Sequence, residues 1–389
     1  MFAAILSVVL LLILAVLLYD FLPDFLNWFG RIKIGRITDD SEWINSVREV
    51  VIDWLAKGAP EVPKNENRRL RLIEKIKNRK EISPICYWQD AALLKAATEK
   101  IDDSAVECVA MLTERYIDVF TGEWKIKPER NDAAILAYEM LSNGYVDSKA
   151  VEPAMNTVAE MLREQYEKYG YIPYNKDIPE ICFVDTVGMV CPFLIKYASV
   201  YKRPEFVNIA VKQIAQYRQS GFDDMTGFPY HCYNAETKAR LGIIGWGRGC
   251  GWWAVGITDS LKELLKFDGM ETEKTLLLRQ VLSFLEKIEK NIGENGEVGR
   301  MLLNSSLPDS STAAMLAYCF ASVYSLTKKE KYAETAKKLF SYLKTATRRD
   351  GIIDYSQGDT MGIGYYSPGF SVVPAAQGFA AAAYELIYE

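Results

Sequence analysis

The chain has 389 residues, of which 49% are hydrophobic and 25% are charged. This balance is typical of a globular protein with a large core, and it excludes a disordered or fibrous chain. The formal net charge of −5 argues against nucleic-acid binding through a broad basic surface, so small or neutral-to-polar partners fit better.

An apolar helix is the first predicted element. Residues 2–19 contain no charge, Pro or Gly, and this length is close to what crosses a bilayer as a helix. We therefore predict a transmembrane anchor over residues 1–22, a juxtamembrane linker over 23–40 and a catalytic domain over 41–389. No basic side chain precedes the apolar run and no small-residue cleavage pattern follows it, which favours an uncleaved anchor over a signal peptide.

The charges that follow the anchor predict its orientation. Arg31, Lys33 and Arg36 come shortly after the apolar run, whereas its N-terminal side carries no basic side chain. The positive-inside rule, which counts Lys and Arg near the ends of a span, then predicts that the large domain lies in the cytoplasm.

The cysteines predict neither metal binding nor disulfides. Seven cysteines are scattered along the chain without a C-x-x-C pair, and the chain has one histidine. A zinc site needs several such ligands, so we predict no metal and no cofactor. We expect small buried thiols in a reducing compartment, which agrees with a cytoplasmic domain.

Past the anchor, the sequence is predicted to be almost entirely helical. Val47, Val51 and Trp54 lie on one helical stripe behind the N-cap candidate Ser41, and Gly58 is placed to end that helix. Almost no segment shows the alternating pattern of a strand.

Six later segments are rich in Ala and apolar on nearly all sides, which is typical of buried helices. They begin near Asp90, Asp132, Asp185, Arg248, Asp309 and Pro374. More amphipathic helices alternate with them, near residues 104–119, 149–169, 203–219, 272–291 and 328–344. Since the apolar helices must be covered by others, the pattern predicts an all-α fold, an (α/α)6 barrel of six helical hairpins preceded by one transmembrane helix. The irregular hairpin spacing argues against a strict solenoid.

Polar residues open nearly all of these inner helices. If the hairpins run in parallel around the ring, Asp90, Asp132, Asp185, Arg248 and Asp309 meet at one mouth. Asp132 and Asp185 are the leading candidates for proton transfer, because a carboxylate ahead of an apolar helix can line a partly dry pocket and hold a raised pKa. The alternative for both is a helix N-cap, a position that Asp favours.

The segment WGRGCGW at residues 246–252 is a candidate sugar-binding element. Trp246 and Trp252 flank Arg248 among three glycines. The indoles offer stacking surfaces for a sugar ring, and the guanidinium offers a forked donor for a carboxylate. The alternative is aromatic packing at the start of a helix.

Three more residues are candidates for substrate binding. His231 lies in a loop after a Thr-Gly turn, and a purely structural histidine is its alternative. No G-x-S-x-G elbow occurs that would supply a nucleophile for a catalytic triad. Trp88 and Asp90 could line the same mouth, with packing and capping as their alternatives.

Together these motifs resemble a known family. TGFPYH at 226–231, WGRGCGW at 246–252, DSSTAAM at 309–315 and QGF at 377–379, with Asp132 and Asp185 heading their helices, are similar to the unsaturated glucuronyl and rhamnogalacturonyl hydrolases of glycoside hydrolase families 88 and 105. The resemblance runs from about residue 85 to the C-terminus.

This resemblance implies a fold and a reaction. The fold is the (α/α)6 barrel, and the substrates are oligosaccharides with a 4,5-unsaturated uronic acid at the non-reducing end. The enzyme hydrates the vinyl ether without a metal, and the hemiketal that forms opens and releases the sugar. By resemblance, Asp185 is the general acid/base and Asp132 the second essential carboxylate. His231, Trp246 and Arg248 match positions that contact substrate.

Two alternatives stay open at this point. The barrel could hydrolyse a different glycan, or the chain could be a membrane-tethered, non-catalytic glycan-binding protein. The joint presence of Asp132, Asp185 and the Arg248 motif argues against the second, because a degenerate site should have lost one of them.

Overall fold

Helices make up most of the part of the chain that the computed structural model describes, which is residues 2–60, 62, 87–99, 103–360 and 362–388. The helices are α1 (Phe2–Gly30), α2 (Asp40–Lys57), α3 (Tyr87–Glu99), α4 (Asp103–Tyr116), α5 (Ala133–Ser142), α6 (Glu152–Tyr169), α7 (Asp185–Tyr201), α8 (Glu205–Ser220), α9 (Gly247–Leu264), α10 (Glu271–Glu289), α11 (Ser310–Thr327), α12 (Glu330–Thr345) and α13 (Pro374–Tyr388). The strands are β1 (Ile181–Phe183), β2 (Tyr230–Asn234), β3 (Arg240–Ile244), β4 (Gly299–Met301), β5 (Asn304–Pro308), β6 (Ser356–Gln357) and β7 (Phe370–Ser371).

Six inner helices form a closed ring. Helices α3, α5, α7, α9, α11 and α13 contact one another in that order, and α13 returns to contact α3. Residues 133–141 of α5 are all buried, whereas α6 buries only the stripe of Ala154, Met155, Val158, Ala159 and Leu162. An outer helix that buries one face precedes each inner helix, so the predicted (α/α)6 barrel is confirmed.

The ring closes through a glycine. A Cβ atom on Gly378 of α13 would lie 2.0 Å from the carbonyl oxygen of Ala92 on α3. Such a distance is far inside van der Waals contact, so only glycine permits this approach. The QGF element at 377–379 therefore has a packing reason in this structure.

The two ends of the barrel differ in their connections. Each connection from an outer to an inner helix lies at one end, which we call the mouth end, and these connections carry all the described strands. β1, β2 and β3 form an antiparallel sheet with Phe183 opposite Cys232, while β4 pairs with β5 and β6 with β7. The opposite end, the closed end, has short connections such as residues 202–204 between α7 and α8.

A buried ion cluster lies inside the ring toward the closed end. Lys95 Nζ is 2.7 Å from Glu139 Oε1 and 3.0 Å from Asp259 Oδ2, and the Tyr318 hydroxyl donates to Asp259 Oδ1 at 2.6 Å. Burial alone would lower the pKa of Lys95, but the charges of Asp259 and Glu139 hold it well above its usual value. The cluster joins α3, α5, α9 and α11.

Most predicted helix positions are confirmed, with local differences. The first barrel helix begins two residues earlier than expected, because Asp39 and not Ser41 is its N-cap and accepts the Glu42 amide at 2.9 Å. Gly58 ends that helix as predicted. The strands escaped prediction because they are only two to five residues long. Six cysteines are buried and free, as expected, and Cys86 lies outside the described residues.

Helix α1 extends past the predicted anchor. Its stretch Ala4–Leu22 is long and apolar enough to cross a membrane, and 6% of that stretch is buried. The predicted linker over residues 23–40 is instead helical up to Gly30 and then contacts the barrel. Arg31 donates to both carboxylate oxygens of Asp354, at 2.8 and 2.9 Å, and Arg348 donates to the same carboxylate at 2.7 Å. The three side chains form what we call the anchor clamp.

Candidate active site

A cleft of about 390 Å³ opens at the mouth end. Its walls come from inner-helix starts and from the long connections before them. The lining residues are Trp88, Arg130, Tyr174, Asn175, Ile178, Phe183, Asp185, Met189, His231, Trp246, Arg248, Trp252, Asp359, Thr360, Gly362 and Ile363. Six of the eight predicted site residues are among them.

Asp185 and His231 are brought together by the small sheet. Asp185 is the first residue of α7, directly after β1, and His231 lies on the neighbouring strand β2. The Val184 amide donates to the His231 carbonyl at 2.9 Å, which fixes the two side chains side by side. His231 Nε2 lies 3.5 Å from Asp185 Oδ2, and this oxygen is buried without a hydrogen-bond partner in the described part of the chain.

Tyr366 contacts the ring nitrogen of His231 that faces away from Asp185. Its hydroxyl oxygen accepts the Ile243 amide at 3.0 Å and lies 3.0 Å from His231 Nδ1. Because an amide can only donate, the hydroxyl proton is available for Nδ1. When the hydroxyl donates to Nδ1, the neutral imidazole carries its proton on Nε2, which faces Asp185. No sequence pattern pointed to Tyr366, since it lies in a long irregular connection.

Asp132 is buried behind the cleft wall. It is fully buried, and neither carboxylate oxygen has a hydrogen-bond partner among the described residues. Arg130, which lines the cleft, places Nε 3.4 Å from Asp132 Oδ1. Burial raises the pKa of the Asp132 carboxyl to about 6, against the opposing charge of Arg130. Asp132 itself is not a lining residue of the cleft.

The N-cap alternative fits neither carboxylate. Asp132 precedes α5 but its side chain accepts no capping bond, and Asp185 already lies inside α7. Asp309 shows the contrast, since it accepts bonds from the Ser311 amide and hydroxyl and from Thr312 Oγ1. Asp309 therefore caps α11.

Arg248 is buried in the cleft wall and already holds backbone groups. Its guanidinium donates to the carbonyls of Gln357 at 2.6 Å and Gly358 at 2.8 Å, and lies 3.9 Å from Asp359. It also stacks over Trp246, with 5.3 Å between the guanidinium carbon and the ring centroid. Arg248 thus fixes the connection that brings Asp359 to the cleft, in addition to lining it.

Three indoles form an aromatic wall. Trp246 lies 4.6 Å from the His231 ring and donates to Gln357 Oε1 at 3.0 Å. Trp88 and Trp252 meet edge to face, with centroids 5.7 Å apart. Such rings offer the apolar faces on which sugars stack.

Asp90 is placed elsewhere. Its carboxylate accepts the Tyr116 hydroxyl at 2.6 Å and lies 3.3 Å from Arg115, so it joins α3 to α4. It is not among the lining residues of the cleft, although its neighbour Trp88 is. Conversely, Arg130 and Asp359 line the cleft but were not predicted as site residues, because they lie in connections without periodicity.

In the described ranges, no three or more His, Cys, Asp or Glu side chains are grouped so that they could hold a metal ion. The polar groups that line the cleft include a carboxylate beside an imidazole, two guanidinium groups and the Asp359 carboxylate. This set can transfer protons and bind an acidic, hydroxyl-rich ligand.

Several solved structures share this fold. A Klebsiella pneumoniae protein described as a possible member of family GH105 has a TM-score of 0.75 at 16% identity, covering 91% of this chain and 95% of its own. The unsaturated glucuronyl hydrolase of Bacillus sp. GL1 has a TM-score of 0.67 at 16% identity, covering 90% and 97%. An unsaturated glucuronyl hydrolase specific for heparin has a TM-score of 0.65 at 14% identity, covering 89% and 97%.

Comparison with known sequences gives one match, to a family model. No curated protein sequence matches the chain. The sequence model of Glycosyl Hydrolase Family 88 matches residues 81–378, which include the first five inner helices, the start of α13 and the cleft. Because the match spans well over half of the chain, this glycoside hydrolase barrel belongs to glycosyl hydrolase family 88.

Proposed function

We propose that the protein hydrolyses oligosaccharides that end in a 4,5-unsaturated uronic acid, by hydrating the vinyl ether. The observation that carries this proposal is the pairing of Asp185 with His231 in a cleft that also holds Arg130 and Arg248. The cationic groups suit a uronic carboxylate, and the indoles suit its ring. The relatives titled unsaturated glucuronyl hydrolases support the same substrate class.

Asp185 is the proposed general acid/base. It protonates C4 of the unsaturated sugar, and the resulting carboxylate accepts a proton from the water that adds to C5. The hemiketal formed at C5 then opens, which breaks the ring and releases the next sugar. The proton on His231 Nε2 faces Asp185 and stabilises the carboxylate form after the first transfer.

The role that we propose for Asp132 differs from that of Asp185. Asp132 stays behind Arg130 and holds this guanidinium at the cleft wall, where the cation can meet the substrate carboxylate. Its raised pKa makes its charge, and hence its hold on Arg130, depend on pH near neutrality. In this role Asp132 does not need to contact the substrate directly.

We also propose that residues 4–22 anchor the enzyme in a membrane, with the barrel on the cytoplasmic side. The stretch combines sufficient length, high hydropathy and exposure in the folded chain. A core helix would be buried, and only 6% of this stretch is. Lys33 and Arg36 are exposed after the helix, as the positive-inside orientation requires.

The function can be tested on the full chain in detergent with lyase-generated unsaturated disaccharides. We expect the ultraviolet absorbance of the conjugated double bond to disappear, and Asp185→Asn to lower kcat by about 10²–10⁴-fold. Asp177→Asn is the matched control, since it makes the same change at an exposed position of the same connection. It should leave kcat within about twofold, as surface changes usually do.

Two results would contradict the proposal. If no unsaturated uronide loses absorbance while a saturated glycoside is hydrolysed, the barrel acts on a different glycan. If Asp185→Asn keeps the activity of the parent protein, the acid/base lies elsewhere in the cleft.

A further inference from the structure

We propose that the mouth end of the barrel rests on the membrane that holds α1, so that the cleft opens onto the lipid surface. This inference depends on the anchor proposed above and adds which end of the barrel meets the lipid. Four features of the fold support it, namely the site of the anchor clamp, the short distance between clamp and bilayer, apolar loop tips and exposed cations.

The anchor clamp attaches α1 to the mouth end. Arg31 binds Asp354 and also donates to the Phe370 carbonyl at 2.6 Å, and the Gly35 amide donates to the Thr347 carbonyl at 2.8 Å. All three partners belong to residues 346–373, the mouth-end connection between α12 and α13. The same connection brings Asp359 into the cleft.

The helix leaves the barrel from this end. If α1 ran back along the outer helices toward the closed end, its apolar residues would be covered by them. Instead Leu11, Leu12 and Leu18 are each more than half exposed. The apolar stretch therefore does not pack along the outer helices toward the closed end.

The distance between the bilayer and the barrel is short. Five to nine residues separate Leu22, the end of the apolar stretch, from Asn27 and Arg31 of the contact region. At the helical rise this is about 8–14 Å, and the headgroup layer itself takes up about 5–8 Å on each side of the hydrocarbon core. The barrel has no flexible tether with which to turn its mouth away from the lipid.

The mouth end also carries exposed apolar side chains at the tips of its loops. Outside α1, the four most exposed large apolar residues that the structure describes are Met225 at 95%, Phe120 at 94%, Ile126 at 68% and Val119 at 61%. All four lie in mouth-end connections, three between α4 and α5 and one between α8 and α9. Exposed apolar side chains at such tips insert favourably at a membrane interface.

These tips and the anchor clamp are spaced evenly around the ring. The α4–α5, α8–α9 and α12–α13 connections alternate with the other three mouth-end connections. Phe120, Met225 and the clamp therefore mark three points that are each two connections apart, and three such points define the plane of the mouth. Exposed Lys33 and Arg36 beside the clamp add attraction to anionic headgroups.

A mouth that rests on lipid restricts which substrates reach the cleft. Oligosaccharides must enter along the membrane surface, which favours short chains and glycans carried at that surface over long soluble polymers. The unsaturated uronide end then enters a cleft whose far side is the bilayer.

Spin labels on the full chain in vesicles of phosphatidylcholine and phosphatidylglycerol can test this geometry. The probes are Phe120→Cys and Met225→Cys on the mouth end, with Tyr145→Cys on the closed end as the matched control, because it is also an exposed ring in a connection. Labelling of the parent protein gives the background from its native thiols. We expect lipid-soluble oxygen to relax the two mouth labels about threefold or more relative to a water-soluble nickel chelate, compared with the control label.

Further measurements distinguish a failure of this inference from a failure of the proposed reaction. Arg31→Gln should return both mouth labels to the value of the control label, because it opens the anchor clamp. Mouth labels that are as aqueous as the control label would overturn the inference, and so would an intact mass that lacks residues 1–22. Disaccharide hydrolysis is measured on the same vesicles. Lipid contact without hydrolysis would support this inference and contradict the proposed reaction. Hydrolysis with aqueous mouth labels would support the proposed reaction and contradict this inference.

Discussion

The barrel contains two groups of buried charges that are paired to very different degrees. In the cluster toward the closed end, Lys95 meets two carboxylates at 2.7 and 3.0 Å. At the mouth end, Asp132 Oδ1 lies 3.4 Å from Arg130 Nε, and Asp185 Oδ2 lies 3.5 Å from His231 Nε2. The comparison teaches that tight pairing marks charges that hold helices together, whereas loose pairing marks charges kept ready for a ligand.

The comparison is most sharply tested by breaking the closed-end cluster. Lys95→Met leaves the buried carboxylates of Glu139 and Asp259 without their shared lysine, so we expect the free energy of unfolding to fall by about 3–5 kcal/mol. Urea denaturation measures this change. The kcat of the protein that remains folded should stay close to that of the parent, because the cluster does not line the cleft.

Lys262→Met is the matched control for that experiment. Its side chain is 24% exposed and lies 4.0 Å from Asp259, so water can replace the lost charge. We expect a change below about 1 kcal/mol, in the range of surface ion pairs. Equal effects of the two variants would mean that the cluster is not held by Lys95.

At the mouth end, Asp132→Asn is expected to raise the free energy of unfolding at pH 7, which is the opposite of the effect of Lys95→Met. The folded pKa of about 6 lies above the ordinary value of 3.8, so the folded protein binds more protons than the unfolded chain between these values. Stability then falls as the pH rises from about 4 to 6, and ionised Asp132 costs the fold about 1–3 kcal/mol at pH 7. The amide removes that cost.

The measurement is urea denaturation of both proteins at pH 4 and pH 7. Asp132→Asn should be more stable than the parent at pH 7 and nearly equal to it at pH 4, while its activity falls. A variant that is less stable at both pH values would show that the carboxylate has a structural function after all.

The smallest effect is expected from Tyr366→Phe. This change removes the proton that Tyr366 offers to His231 Nδ1, so the imidazole is no longer held in one tautomer. We expect kcat to fall about tenfold, roughly 1.4 kcal/mol, with KM unchanged. Tyr365→Phe, an exposed neighbour, is the control.

Nitrogen NMR gives a readout that activity does not. His231 is the single histidine of the chain, so labelled histidine yields one imidazole. The parent should show the proton on Nε2, and Tyr366→Phe should show a mixture of tautomers. An unchanged spectrum in the variant would remove Tyr366 from the positioning of His231.

The sequence predicted the ring better than it predicted the contacts across the mouth. Helices that are apolar on all sides imply a covered inner ring, and their polar first residues located Asp132 and Asp185. Arg130, Asp359 and Tyr366 escaped because their connections have no periodicity and their partners are far away in sequence. Asp90 shows the converse, since its position at a helix start looked like a site residue until Tyr116 and Arg115 were found to bind it.

The anchor clamp gives Arg31 two successive uses during the life of the chain. Its partner Asp354 is made 323 residues later, which takes roughly 15–65 s at the usual rates of synthesis. In the proposed topology, Arg31 is an unpaired cation directly behind the emerging anchor during that interval, and it counts toward the orientation of α1. When the last hairpin arrives, the same charge is neutralised by Asp354. If α1 is the proposed anchor, a charge that directs its orientation thereby becomes a joint between the first helix and the completed barrel.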